Sequence, residues 1–280
     1  MSIITDPFTL PNGVKIPQVG FGTWQIPAGD VAYTSVANAL KAGYRHIDTA
    51  TAYRNEASVG AAIRDSGIAR DQIFVTSKLP AEAKTYADAA KAIDESLTKL
   101  DLGYIDLYLI HAPWPWAELG ADYKEGNAEA WRAMEDAYDA GKFRAIGISN
   151  FNVADQEYLY AHSRITPMAL QLQFYIGYRE AANVDCARAH GLLVEGFSPL
   201  ATGFLFGNQD VAAIAGHYDV TVAQLAIRYV LQNGIVPLPK AIGADHVVEN
   251  TKLDFIISPA DMAALNAMND TAPGEDHNEY

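Results

Sequence analysis

The chain has 280 residues, half of them hydrophobic, enough to bury a large core in one α/β barrel or two ordinary domains. Asp and Glu number 34 against 20 Lys and Arg, a formal net charge of −14, which excludes phosphate backbones and anionic membrane surfaces as partners. No apolar run approaches the ~18 residues of a membrane span, the N-terminus has neither a basic nor an apolar leader segment, and the single Cys186 excludes an intramolecular disulfide framework, so a reducing cytosol is expected.

The elements read in chain order. A hairpin opens the chain: FTL, the turn Pro11-Asn12-Gly13, then VKIPQV. Short apolar runs then alternate with longer amphipathic ones. The predicted strands are 19–22, 44–48, 73–78, 104–111, 143–149, 168–174, 192–197 and 234–239. Between them, 31–43 places apolar residues at 31, 36, 39 and 40 and ends at Gly43. The helical stretches 55–67, 128–142 and 221–234 also close on glycines, at Gly67, Gly141 and Gly234, and 87–103 is rich in helix formers. Residues 152–161, 181–190 and 245–252 fill the remaining gaps, with Cys186 expected as a small buried helix residue. A last helix begins after the cap-like Ser258, and the acidic tail 272–280 reads as a solvated terminus. Eight β-then-α units with short connections predict a single (β/α)8 TIM barrel domain over 1–280, with an N-terminal β-hairpin and an extra C-terminal helix.

Four residues fall at or just past predicted strand ends: Asp48, Tyr53, Lys78 and His111. In such a barrel, the C-terminal ends of strands carry the chemistry. A buried Lys78 held by Asp48 would stabilise a tyrosinate and so lower the pKa of Tyr53. The phenol could then protonate a carbonyl oxygen, while a neutral His111 orients the same oxygen. Each residue also has an ordinary reading. Asp48 could cap a loop, Tyr53 could pack, Lys78 could snorkel to solvent and His111 could be a satisfied core histidine. The catalytic reading rests on all four meeting at one rim.

The stretches GFGTW (20–24), GYRHIDTATAYRNEASVG (43–60), FVTSKL (74–79), DLYLIHAP (106–113), GKFRAIGISNF (141–151), FSPLATG (197–203) and PLPKAI (237–242) resemble the aldo-keto reductases. The chain is most similar to the compact bacterial members, diketo-gluconate reductases among them. The resemblance implies NAD(P)H-dependent reduction of an aldehyde or ketone to the alcohol, with Asp48, Tyr53, Lys78 and His111 as the catalytic tetrad and Tyr53 as proton donor. It implies that Ser149, Asn150 and Gln171 meet the nicotinamide carboxamide and that Phe197 stacks on the ring. Ser198 and Leu200 would line the pyrophosphate, Lys240 would pair with the ribose 2′-phosphate, and Glu249 and Asn250 would meet the adenine. No G-x-G-x-x-G follows the first strand, in keeping with a nucleotide bound without a Rossmann fold.

Several positions depart from the family pattern. Ala241 stands where Ser is usual, and His246 stands where Arg is usual near the 2′-phosphate. A neutral histidine brings neither a full charge nor a bidentate fork, so NADPH is expected to be preferred through Lys240, with NADH usable. Ala112 replaces the usual Trp after the histidine, and Gln173 and Tyr175 replace Glu and His. Trp24, Tyr53, His111 and Trp114, or Trp116 in its stead, are expected to line the substrate pocket. A small carbonyl compound is the expected partner of a monomer, and no metal site is evident. The alternatives are a nicotinamide-binding, redox-sensing regulatory protein on the same fold and a barrel enzyme of unrelated chemistry.

Overall fold

The computed structural model describes residues 3–273 and 275. A two-stranded antiparallel hairpin, β1 (Pro7–Thr9) and β2 (Lys15–Pro17), opens the chain. Its turn bonds across from Gly13 N to Leu10 O, and Gly13 takes a φ of 87°, which a residue with a side chain rarely adopts. Asn12 Nδ2 donates to Arg144 O at 2.8 Å, which pins the hairpin against the N-terminal end of the sheet.

Eight parallel strands follow: β3 (Phe21–Gly22), β4 (His46–Asp48), β5 (Phe74–Leu79), β6 (Ile105–Ile110), β7 (Phe143–Ser149), β8 (Ala169–Gln173), β9 (Leu193–Phe197) and β10 (Val236–Leu238). They pair in sequence order from β3 to β10. The first and last strands meet through two backbone hydrogen bonds, Gly20 N to Pro237 O at 3.0 Å and Gly22 N to Pro239 O at 2.9 Å. The seam is close: a Cβ on Gly20 would lie 2.5 Å from the Leu238 side chain and 2.7 Å from the His46 ring.

The helices are α1 (Asp30–Lys41), α2 (Glu56–Asp65), α3 (Tyr86–Leu100), α4 (Lys124–Asp139), α5 (Val153–His162), α6 (Ala181–Ala189), α7 (Gln209–Gly216), α8 (Val222–Gln232), α9 (Ala244–Glu249) and α10 (Pro259–Ala267). Their starts follow side-chain capping chemistry. Thr85, Asn152, Asn208 and Ser258 each accept a backbone N–H of the first turn, and Thr221 with Gln224 forms a reciprocal capping box. Gly43, Gly67, Gly141 and Gly234, expected to close helices, all have positive φ just past them. The fold is therefore the (β/α)8 barrel with its hairpin and extra C-terminal helix.

Unexpected elements include α7 and a 3-10 segment at Ala201–Gly207. Both lie in the connection between β9 and α8. The described part of the C-terminal tail is also less solvated than expected. Ala272 is buried, and Glu275 accepts hydrogen bonds from Gln173 Nε2 at 2.9 Å and Thr202 Oγ1 at 2.7 Å. Residues 276–280 lie outside the described residues. No described helix is long and apolar enough to cross a membrane.

One packing constraint is testable. A Cβ on Gly60, in α2, would sit 2.0 Å from the backbone oxygen of Leu100 at the end of α3. Alanine gains about 1 kcal/mol of helix propensity, but a backbone carbonyl cannot rotate away. Gly60→Ala should therefore lower stability by a net ~2 kcal/mol in urea unfolding, and an unchanged midpoint would show that the two helices separate freely.

Candidate active site

Parallel strands place their C-terminal ends together, and β4 and β5 set the first three side chains. Asp48 closes β4 opposite Thr76 of β5, and Lys78 follows two residues on, on the same face as Thr76. Lys78 is fully buried. Its Nζ donates to Asp48 Oδ1 at 2.7 Å and Oδ2 at 2.9 Å, to Thr49 O at 3.0 Å and to Tyr53 Oη at 3.3 Å. Tyr53 ends a 3-10 turn, Thr51–Tyr53, after which Arg54 turns left-handed with φ 59°. Asn55 ties this loop down: Thr49 Oγ1 donates to its Oδ1, and its Nδ2 donates to Thr23 O and Ile26 O. His111 follows β6, with its ring centre 5.5 Å from that of Tyr53, edge to face. The four sequence-selected residues are thus brought to one place.

The electrostatics differ from expectation at one point. Burial raises the pKa of Tyr53, the Lys78 charge pulls it back, and Asp48 pushes it up again, so the net shift is upward rather than downward. The phenol stays protonated at neutral pH. Burial works against the Lys78 ammonium, but Asp48 and Tyr53 outweigh it and hold the lysine charged. Burial and the Lys78 charge drive His111 well below its ordinary 6.5, so its ring is neutral.

Beneath the tetrad lies a second buried layer, in which the sequence pointed to Gln171 but not to Glu195, His46 or Thr76. Gln171 Nε2 donates to Asp48 Oδ2 at 2.9 Å and to Glu195 Oε2 at 3.0 Å. Glu195 is fully buried in β9, and its Oε1 lies 3.7 Å from His46 Nε2. His46 Nε2 in turn meets Thr76 Oγ1 at 3.0 Å. Burial first, then the Asp48 charge, pushes Glu195 up to about 8, while burial and Lys78 push His46 down to about 3. At neutral pH His46 is uncharged and Glu195 mostly protonated. The available signal was a single Glu inside the apolar run LLVEGF.

The rim residues are distributed as follows. Ser149 and Asn150 follow one another at the end of β7, and Asn150 Nδ2 donates to His111 O and Ser149 Oγ. Phe197 ends β9 half-buried, and the chain then turns through left-handed φ angles at Ser198 (49°), Ala201 (46°) and Thr202 (47°), with Leu200 between them. Such backbone strain persists where a ligand-binding loop must hold an unusual course. Lys240 lies two residues beyond β10 and reaches Gln25 Oε1 at 3.3 Å. His246 is exposed in the first turn of α9, Glu249 accepts from Lys252 Nζ, and Asn250 is buried. Ala241 is buried. Trp24, at the mouth beside β3, is 45% exposed.

The HAPWPW loop is anchored from behind. Lys84 Nζ donates to Ala112 O at 2.9 Å and to Asn127 Oδ1 at 2.7 Å, and Asn127 Nδ2 donates to Pro113 O at 2.8 Å. Ala112 and Trp114 are buried together with Ala81, and Trp116, 36% exposed, sets its ring 5.2 Å from that of His111. Trp116 is thus the loop tryptophan in contact with His111. Away from this end of the barrel, Cys186 is half-buried rather than buried. Burial and its bond to Glu157 push its thiol up to about 11. It lies with Glu157 and His190 in the one grouping of three potential metal donors among the described residues.

The family model described as the aldo/keto reductase family matches residues 18–270. The chain belongs to the aldo/keto reductase family. It is 39% identical to a glyoxal reductase of Bacillus subtilis, over 95% of this chain and 94% of that one. It superposes on an aldo/keto reductase of Brucella melitensis with a TM-score of 0.87 at 39% identity, covering 94% of this chain and 98% of that one. An aldo-keto reductase of Bombyx mori, solved with NADP, superposes with a TM-score of 0.86 at 31% identity, covering 96% and 94%. The protein is an NAD(P)H-dependent oxidoreductase, and NADPH is its family cofactor. The residues at the strand ends fit such a cofactor: an amide-rich patch at β7 and β8, a half-buried aromatic ring at the end of β9, a strained loop after it, and a lysine after β10.

The buried carboxyl of Glu195 gives a pH test. Its proton is held more tightly folded, at about 8, than at the ordinary 4.5. The stabilisation is full below the unfolded value and is lost as pH rises through the folded one. Glu195→Gln, a permanently neutral isostere, should therefore gain in melting temperature relative to the natural protein between pH 5 and pH 9. Parallel melting curves across that range would refute this assignment.

Proposed function

We propose that the protein reduces a small or medium aldehyde or ketone to its alcohol, with Tyr53 as proton donor. The observation that carries this reading is the contact of the buried Lys78 ammonium with both Asp48 and the Tyr53 hydroxyl. Bound NAD(P)H supplies the hydride that reduces the carbonyl carbon. Tyr53 passes its hydroxyl proton to the carbonyl oxygen as negative charge gathers there. The phenolate left behind faces the Lys78 ammonium, and Asp48 keeps that ammonium in place. His111, held neutral, offers the same oxygen a hydrogen bond without adding a charge.

In this reading Ser149, Asn150 and Gln171 bind the carboxamide, Phe197 stacks on the ring, and Ser198 and Leu200 follow the pyrophosphate. Lys240 takes the 2′-phosphate, Glu249 and Asn250 take the adenine, and His246 stands beside the phosphate. Trp24 and Trp116 wall the mouth with Tyr53 and His111, while Trp114 supports the wall from within. Aromatic walls of this kind suit a carbonyl compound with an apolar part.

Removing the acid tests the mechanism. Tyr53→Phe should fold and bind NADPH but lose about 100-fold or more in kcat for a generic aldehyde. Turnover at the natural rate would sink the assignment. Cofactor choice has its own test. His246→Arg should raise the ratio of kcat/KM for NADPH over NADH by roughly tenfold, the scale of one added charge-assisted contact, and an unmoved ratio would place His246 away from the 2′-phosphate.

A further inference from the structure

The register of the sheet lines up three side chains across neighbouring strands. Ser149 of β7 pairs with Gln171 of β8, and Gln171 pairs with Glu195 of β9. Within this row Gln171 gives its Nε2 to two carboxyl groups at once, Asp48 Oδ2 and Glu195 Oε2. An amide nitrogen has two hydrogens, so both are committed. What remains of its hydrogen-bonding capacity is the amide oxygen. Turning the amide over would set that oxygen against the Asp48 carboxylate, which Lys78 keeps in its charged form.

We propose that Glu195 is a positioning residue that fixes the orientation of the Gln171 amide, so that Gln171 presents its oxygen as an acceptor to the nicotinamide carboxamide. The inference rests on the reading of Gln171 as a ligand of that group. Asp48 alone would leave one amide hydrogen uncommitted and the amide plane held at one point only. Glu195 supplies the second acceptor and is itself fully buried in β9. Gln171 bonds one of its oxygens, and the other, Oε1, has no hydrogen-bond partner among the described residues and lies 3.7 Å from His46 Nε2. Every one of these groups is buried. A mostly protonated carboxyl also suits the task, because it can accept at Oε2 without adding a full third charge beside Asp48 and Lys78. A glutamine has the same pattern, an acceptor at one end and a donor at the other, whereas a leucine has neither.

The test compares the two ends of the cofactor. Quenching of tryptophan fluorescence gives dissociation constants for NADPH and for adenosine 2′,5′-bisphosphate, which lacks the nicotinamide. Glu195→Leu should weaken NADPH about tenfold, the cost of one misdirected buried hydrogen bond, and leave the bisphosphate unchanged. Glu195→Gln should stay within about twofold of the natural protein for both. Equal affinity for NADPH in the leucine variant would overturn the proposal. So would a parallel loss for both ligands, which would mark Glu195 as a support of the fold. Should the leucine variant not fold, Gln171→Leu carries the same prediction without touching Glu195, and an unweakened NADPH affinity there overturns the proposal as well. If the natural protein binds the bisphosphate and not NADPH, the reading of the nicotinamide site falls first and takes this inference with it.

Discussion

A lysine with no solvent exposure at the centre of a barrel is the constraint around which the remaining polar groups are arranged. An isolated ammonium in such a place costs many kcal/mol, and a paired one is tolerated only when its hydrogens are all taken. Lys78 meets four acceptors, contributed by Asp48, the Thr49 carbonyl and Tyr53. Removing Asp48 would leave a buried charge uncompensated, a loss on the order of 3–5 kcal/mol. Asp48 has its own requirement. Its second oxygen takes the Gln171 amide, and Gln171 leads on to Glu195 and its neighbour His46. One cation thus organises polar side chains from β4, β5, β8 and β9, strands that only a closed sheet brings face to face.

The loops above this layer are held with similar economy. Asn55 joins the Tyr53 loop to the segment after β3, and Lys84 with Asn127 holds the carbonyls that follow His111. Burial pushes Lys84 down to about 7, against the upward pull of Glu82 and Asp155, so the anchor behind the His111 loop is itself poised near neutrality. The four clustered side chains therefore gain their precision from groups outside the cluster.

Much of this was legible in the sequence. The eight apolar runs matched β3 to β10 because a strand buried on both faces reads as a short unbroken hydrophobic stretch, and the four tetrad residues stood out because each falls at or just past the end of such a run. Glu195 and His46 interrupt runs in the middle, where a polar residue reads as noise unless the opposing strand is known. The net upward shift of Tyr53 was out of reach for the same reason: whether burial or Lys78 prevails depends on the packing around the phenol. The segment 201–216 was passed over because ATGFLFGNQDVAAIAG mixes glycines with a short apolar stretch, and it holds a kinked 3-10 turn followed by only eight residues of helix. The choice between Trp114 and Trp116 was left open by spacing alone, since residues two apart in a loop carry no periodicity to assign a face.

The seam between β3 and β10 is held by two backbone hydrogen bonds that join residues at opposite ends of the chain. Contacts of such long sequence separation carry a large loop-closure cost. Lys240 stands immediately beyond that seam and reaches across it to Gln25. An anion held at Lys240 would meet both edges of the sheet where the cylinder closes, so its binding would favour the shut barrel over any form with that seam open, and the ligand would act as a clasp.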